Sequence, residues 1–203
     1  KYAAFNSDFS ENSMAEKTGI AWCDSTKGPW LVCTEVSPGC ANCYARELAE
    51  SRLAPIIRKA YKAAGLEDWE TRPVWGKNAP RVLTRKFHTG MLAFNRKPWV
   101  CNECGTPRAA RGHADSGSIC RCGAPNNASH RRRSFPSLID WLDDMPAGIL
   151  DQDGIWLDRD EVFADFLNTI RLTPDIIHIL CTKRPGLFDQ RMQAAIETCE
   201  RMS

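Results

Sequence analysis

Apolar residues recur along this chain with two periods. Between residues 45 and 64, Leu48, Leu53, Ile56, Ile57 and Tyr61 return at helix spacing, and Gly65 stands where that helix must end. Pro55 falls inside the stretch, so the helix is expected to kink or split there. A second helix is expected after Asp158-Arg159-Asp160-Glu161, which has the form of a capping box. Val162, Phe163, Phe166, Leu167 and Ile170 then make one apolar stripe before Pro174. Short apolar runs read as strands. These are 20–24 and 30–34, separated by Gly28 and Pro29; 133–138, running into a short helix over 138–143; and 176–181, ahead of a last helix from about Leu187. Residues 66–100 are rich in Trp, Pro and Arg and show a strand pattern only at 81–84. Strand and helix thus alternate, which is the pattern of an α/β chain with right-handed crossovers, whose ligands collect where the strands end.

Length and composition narrow this picture. A chain of 203 residues with 43% hydrophobic content can bury a proper core as one domain with a small appendage. With 27 basic and 25 acidic residues the net charge is only +2, so composition by itself points to neither a nucleic-acid partner nor a membrane surface. No run approaches the roughly 18 apolar residues of a spanning helix, and residues 1–13 lack the apolar stretch of a signal peptide. No membrane association is expected, and the location expected is cytoplasmic. Residues 1–13 read as a tag or disordered leader, 14–98 and 131–203 as the main domain, and 99–130 as an insertion.

The 10 cysteines change the picture most. In a chain with no export signal they argue for metal ligation rather than disulfides. Seven fall into two spaced groups; Cys23, Cys181 and Cys199 do not, and read as small apolar residues. The first group, Cys33-x6-Cys40-x2-Cys43, lies between a strand and a helix, with Pro38 and Gly39 letting the backbone fold around whatever the thiolates hold. Three soft ligands suit a 4Fe–4S cluster with one iron left open, whereas structural zinc takes four. A four-ligand site that adds Cys23, and no metal at all, are the two alternatives.

The stretches GIAWCDST and PWLVCTEVSPGCANCYARELA resemble the opening of an uncharacterised family of bacteriophage and prophage proteins, themselves similar to radical S-adenosylmethionine enzymes. VWGKNAPRVLT, SFPSLIDWLDDMP and LCTKRP follow in the family's order. The resemblance implies a partial (β/α) barrel of radical-SAM type in a bacterial host cell. It implies a 4Fe–4S cluster on Cys33, Cys40 and Cys43 that binds S-adenosylmethionine and, once reduced, cleaves it to a deoxyadenosyl radical. Tyr44 would flank the cluster, and Ser137, Asp140, Thr182 and Lys183 would line the cofactor or substrate side. On a plainer reading Ser137 and Asp140 cap a helix, and Lys183 and Arg184 form a solvated helix start. Two features depart from the pattern. The first cysteine gap is six residues where radical enzymes usually have three, and the family's Gly-Gly-Glu-Ser and final Trp-Gly segments do not follow TKRP. A fragment, a barrel completed by a second copy or a partner chain, or an inactive relative is the corresponding expectation.

The second group, Cys101-x2-Cys104-Gly105 with Cys120-x-Cys122-Gly123, has the form of two knuckles closing a tetrahedral zinc site, with sulfurs at about 2.3 Å from the metal, and an iron site of rubredoxin type is the alternative. The polar residues between them hold too little apolar surface to fold without metal, so zinc would supply much of this ribbon's folding energy. Arg108, Arg111, Arg121, Arg131 and Arg132 surround it, a cluster suited to nucleic-acid phosphates or simply to a solvated basic face. Hydrolytic chemistry finds no constellation: there are 4 scattered histidines, no GxSxG elbow and no HExxH helix. Two function classes remain, a radical-SAM-like enzyme of unknown substrate, with nucleic acid or a nucleotide as first candidate, and a non-catalytic zinc module that binds nucleic acid or protein.

Overall fold

The computed structural model describes residues 23–96 and 132–202, with the short stretches 99–101, 107–108, 122 and 129–130. In chain order the elements begin with β1 (Trp30–Leu31), α1 (Tyr44–Leu48), a π-helical segment Ala49–Leu53, α2 (Ala54–Ala63), β2 (Arg81–Leu83) and α3 (Phe87–Asn95). Then come β3 (Trp99–Cys101), β4 (Pro107–Arg108), β5 (Ser129–His130), β6 (Arg132–Ser134), β7 (Ile149–Leu150), β8 (Trp156–Leu157), α4 (Arg159–Arg171), β9 (Ile176–His178) and α5 (Phe188–Met202). The chain is mixed α/β, as its alternating pattern predicts.

The central sheet has the order β1-β2-β7-β8; β2 and β7 run parallel, and the two outer pairings are antiparallel. β6 and β9 form a separate parallel pair, extended by a parallel bridge between Ser25 and Ser134. β4-β3-β5 is a small antiparallel sheet within the expected insertion. The central strands follow the strand rule of alternating faces. Leu31, Val82 and Leu150 join one core cluster, with Ala45, Leu53, Ile57 and Tyr61 of the first helix. Trp30 and Ile149 join another, with Leu83 packed against it and Phe87, Met91, Phe163 and Phe166 of α3 and α4 within it. The sheet is therefore the middle layer between one long interrupted helix and a bundle of three.

That first helix runs over residues 44–63, as its period predicts, and its break comes just before Pro55. Proline has no N–H to return to the carbonyl four residues back, so the backbone widens through Ala49–Leu53 before regular turns resume. Gly65 follows the end of α2 at φ +73°. α4 begins where the capping box places it: the Asp158 carboxylate accepts from the N–H groups of Asp160 and Glu161, both at 2.9 Å.

Several local readings differ from the structure: of the runs 30–34, 133–138 and 176–181 only 30–31, 132–134 and 176–178 lie in strands, and 23–24 lie in none. Residues 138–143 form turns instead of a helix, because the Asp140 carboxylate accepts the Leu142 N–H at 3.0 Å and draws the backbone into a side-chain turn. α3 lies in the stretch read as irregular; its start has no side-chain cap, and Lys86 enters it at φ +57°. The β7–β8 hairpin carries too few residues for a readable period. It turns through Gly154 at φ +83°, where a Cβ would collide with the backbone of Ala63 and Ala64 at the end of α2. No helix among the described residues is long and apolar enough to cross a membrane. The expected leader 1–13 and most of 99–130 lie outside the described residues.

Candidate functional site

The first cysteine group is reached through a backbone irregularity. Directly after β1, Val32 is 1% exposed and adopts φ +69°, a left-handed conformation that β-branched residues rarely take. The chain then passes through a single 3-10 turn, Pro38–Cys40, in which Cys40 N–H donates to Ser37 O at 2.9 Å, and Cys43 sits at the N-cap of α1. Cys33, Cys40 and Cys43 line one cavity of about 260 Å³. Its other walls come from far along the chain: Ser137 and Asp140, and then Thr182 and Lys183. All seven of these positions were singled out from sequence, and the fold brings them together at one place. Tyr44 is 54% exposed, and its hydroxyl donates to Ser137 O at 2.6 Å, joining the cysteine loop to the opposite wall.

Lys183 closes the cavity by charge as well as shape. Its ammonium donates to Gly39 O at 2.8 Å and to Cys40 Sγ at 3.4 Å, while its backbone N–H donates to Asp140 Oδ2 at 2.8 Å. Burial pushes the Cys40 thiol up, but hydrogen bonds from the backbone at Val36 and Ser37, the Ser37 hydroxyl and Lys183 outweigh it and bring it down to about 7. Cys33 goes the other way. Its burial, reinforced by the Asp143 carboxylate, raises the thiol to about 11 despite Arg184 Nη1 at 4.0 Å. One cysteine of the set is thus poised as a thiolate and another is held as a thiol.

Beneath the loop lies a buried ionic network that sequence reading missed. Arg81 and Asp143, both with fully buried side chains, pair directly, and Arg81 also donates to Gly76 O, Ala79 O and the Thr34 hydroxyl. Arg184 Nη1 lies 2.9 Å from Asp140 Oδ2, and Nη2 donates to Thr34 O at 2.8 Å. Nη2 also lies 3.2 Å from Asp143 Oδ1, within ion-pair range but outside hydrogen-bond alignment. Burial lowers the Arg184 pKa, but the Asp143 and Asp140 carboxylates together outweigh it, for a net rise. Arg184, read from sequence as a solvated helix start, is instead a strut under Thr34 with its side chain 6% exposed. Its place in TKRP, directly after an apolar strand, was the available signal; nothing local marks Arg81 or Asp143 as partners 62 residues apart.

Other candidates fall elsewhere. Cys23 is buried and not among the lining residues, whereas Cys181, read as a lone apolar residue, is one of them. Cys101 ends β3, paired with Ser129, and Cys122 lies in an exposed turn; Cys104 and Cys120 lie outside the described residues. Arg108 falls on β4 and Arg132 on β6, while Arg111, Arg121 and Arg131 lie outside the described residues.

Residues 17–93 match the model of a family described as proteins of unknown function, DUF5131. The match contains all three cysteines of the loop, α1, α2 and β2, and stops before the wall that carries Ser137, Asp140, Thr182 and Lys183. No curated protein and no solved structure matches the chain.

Proposed function

We propose that the chain is a radical-S-adenosylmethionine-like iron–sulfur protein in which Cys33, Cys40 and Cys43 hold a 4Fe–4S cluster open at one iron. The carrying observation is the convergence of three cysteines from one loop with Ser137, Asp140, Thr182 and Lys183 on one cavity. Three thiolates from one loop are the donor set of a cubane that leaves one iron open, whereas structural zinc normally takes four protein ligands. Lys183 supplies positive charge beside Cys40, which suits a ligand held as thiolate, whereas Cys33, a thiol in the metal-free protein, gives up its proton on binding iron.

When bound, such a cluster with S-adenosylmethionine supplies one-electron cleavage of the sulfonium. The chain's own residues do the positioning. Asp140 fixes the Lys183 backbone, Lys183 fixes Gly39, and Arg184 with Arg81 fixes Thr34, so the loop is held from both ends. We read the parallel pairs β2/β7 and β6/β9 as parts of an incomplete (β/α) barrel. Ile177 on β9 is 44% exposed, which favours pairing with a second copy or a completing chain.

The zinc ribbon is a separate proposal. The antiparallel β4-β3-β5 sheet carries Cys101 and supports a Cys101, Cys104, Cys120 and Cys122 site, with the neighbouring arginines making nucleic acid or a nucleotide the first substrate class to try. Anaerobic purification with iron, sulfide and zinc analysis tests both. About four irons and one zinc per chain, with iron lost and zinc kept in Cys40→Ala, is the expected result. Zinc without iron would overturn the cluster and leave the non-catalytic binding module.

A further inference from the structure

A second cavity, of about 420 Å³, shares Trp75 with the cysteine cavity and is built from the loop after Cys33, the first helix and the segment 71–76. Its charged lining is three arginines and two glutamates. Both glutamates are occupied: Arg46 reaches Glu35 at 3.1 Å and Glu50 at 3.0 Å, and the Trp75 indole N–H donates to Glu35 at 3.2 Å. Arg72 is held by Asp68, which stands outside the lining, at 2.8 Å. Arg58, on α2, is different. Its Nε is fully buried, and among the described residues its guanidinium has no hydrogen bond and no ion pair. The residue as a whole is half-buried, so its Nη donors keep access to the cavity and, unpartnered among the described residues, are open to an oxyanion.

We propose that this cavity is a binding site for a small molecule carrying a phosphate or carboxylate group, which Arg58 grips through its guanidinium fork with Arg72 beside it. The guanidinium matches both oxyanions in bidentate geometry. The volume lies in the range of small-molecule sites, and Trp75 supplies apolar wall for the rest of the ligand. Because Trp75 also lines the cysteine cavity, a ligand bound here lies against the wall of the cysteine site.

The test is a calorimetric titration of the full chain at low ionic strength with inorganic phosphate and, separately, with acetate. One anion bound per chain is expected, with the preferred probe telling a phosphoryl ligand from a carboxylate one. Arg58→Gln should weaken it about tenfold or more, the equivalent of about 1.4 kcal/mol. Absence of binding by both anions, or wild-type affinity in R58Q, would overturn the proposal. Should R58Q fail to fold, Arg72→Gln carries the test at a side chain that is 28% exposed: several-fold weaker binding supports the site and unchanged binding overturns it. Cys40→Ala should leave anion affinity unchanged, so this proposal and the cluster reading fail separately.

Discussion

On one face of the central sheet, Trp30, Phe87, Phe163 and Phe166 pack beneath α3 and α4, with Trp30 meeting Phe166 edge-on at 5.8 Å and Phe87 at 5.9 Å from the same ring. On the other face, Leu31, Val82 and Leu150 meet a helix that loosens at Ala49–Leu53 and a loop entered through left-handed Val32. The first face holds aromatic rings under regular helices, the second places its departures from regular backbone around two cavities and an ionic network. The hydrophobic effect that drives this burial is non-directional and needs no hydrogen-bond partner, so it gives a base. Buried ion pairs give little net stability for their desolvation cost but demand one geometry, which suits a loop whose three thiols must point into a single space.

Two substitutions, one on each side, give the largest expected effects. Phe166→Ala removes a ring that is 2% exposed and should cost about 3–5 kcal/mol in denaturant unfolding, through lost transfer energy and the cavity left behind. Asp143→Ala should cost a similar amount, about 3–5 kcal/mol, because it strands Arg81 and weakens the hold on Arg184. The difference lies in what else changes. In the folded fraction Phe166→Ala should leave cysteine reactivity as it was, whereas Asp143→Ala should alter it, since Arg81 and Arg184 both hold Thr34 beside Cys33. Equal disturbance of the cysteines by both would erase the distinction between the two faces.

A smaller effect sharpens the base side. Asp158→Ala removes the cap of α4 and should cost about 1 kcal/mol, read as a lower denaturation midpoint with no change at either cavity. The same residue shows which parts of the molecule are legible in sequence. Capping, apolar stripes and the Cys33, Cys40 and Cys43 spacing are local signals, so α4, the first helix and the cysteine loop could be read directly. TKRP and SFPSLIDWLDDMP were picked out by resemblance, and the fold brings Ser137, Asp140, Thr182 and Lys183 to that loop. The Arg81–Asp143 pair, the contribution of Cys181 and an Arg58 without a partner among the described residues were not legible, because each depends on which distant segment lies opposite. α3 escaped for the opposite reason: it starts without a capping side chain, so its pattern had no marked beginning.

The smallest expected effect concerns the thiols themselves. In the metal-free, reduced protein, alkylation of Cys40 should follow a titration centred near pH 7, while Cys33, raised to about 11, should stay protonated and slow across the neutral range. The sign for stability follows from the same shift. Cys40 is held below its ordinary value of 9.0, so folding favours the thiolate, and the stabilisation is fully present above that value and is lost as pH falls through about 7. Lys183 is one of several donors to this sulfur, so Lys183→Met should raise the midpoint by up to about one pH unit rather than restore the ordinary thiol. Peptide-resolved alkylation against pH checks this. A midpoint unmoved by Lys183→Met would mean that the ammonium 3.4 Å from Cys40 Sγ does not stabilise the thiolate. The wall around Lys183 would then contribute shape to the cavity, and the charge that prepares the cysteine loop would come from the loop's own backbone and Ser37.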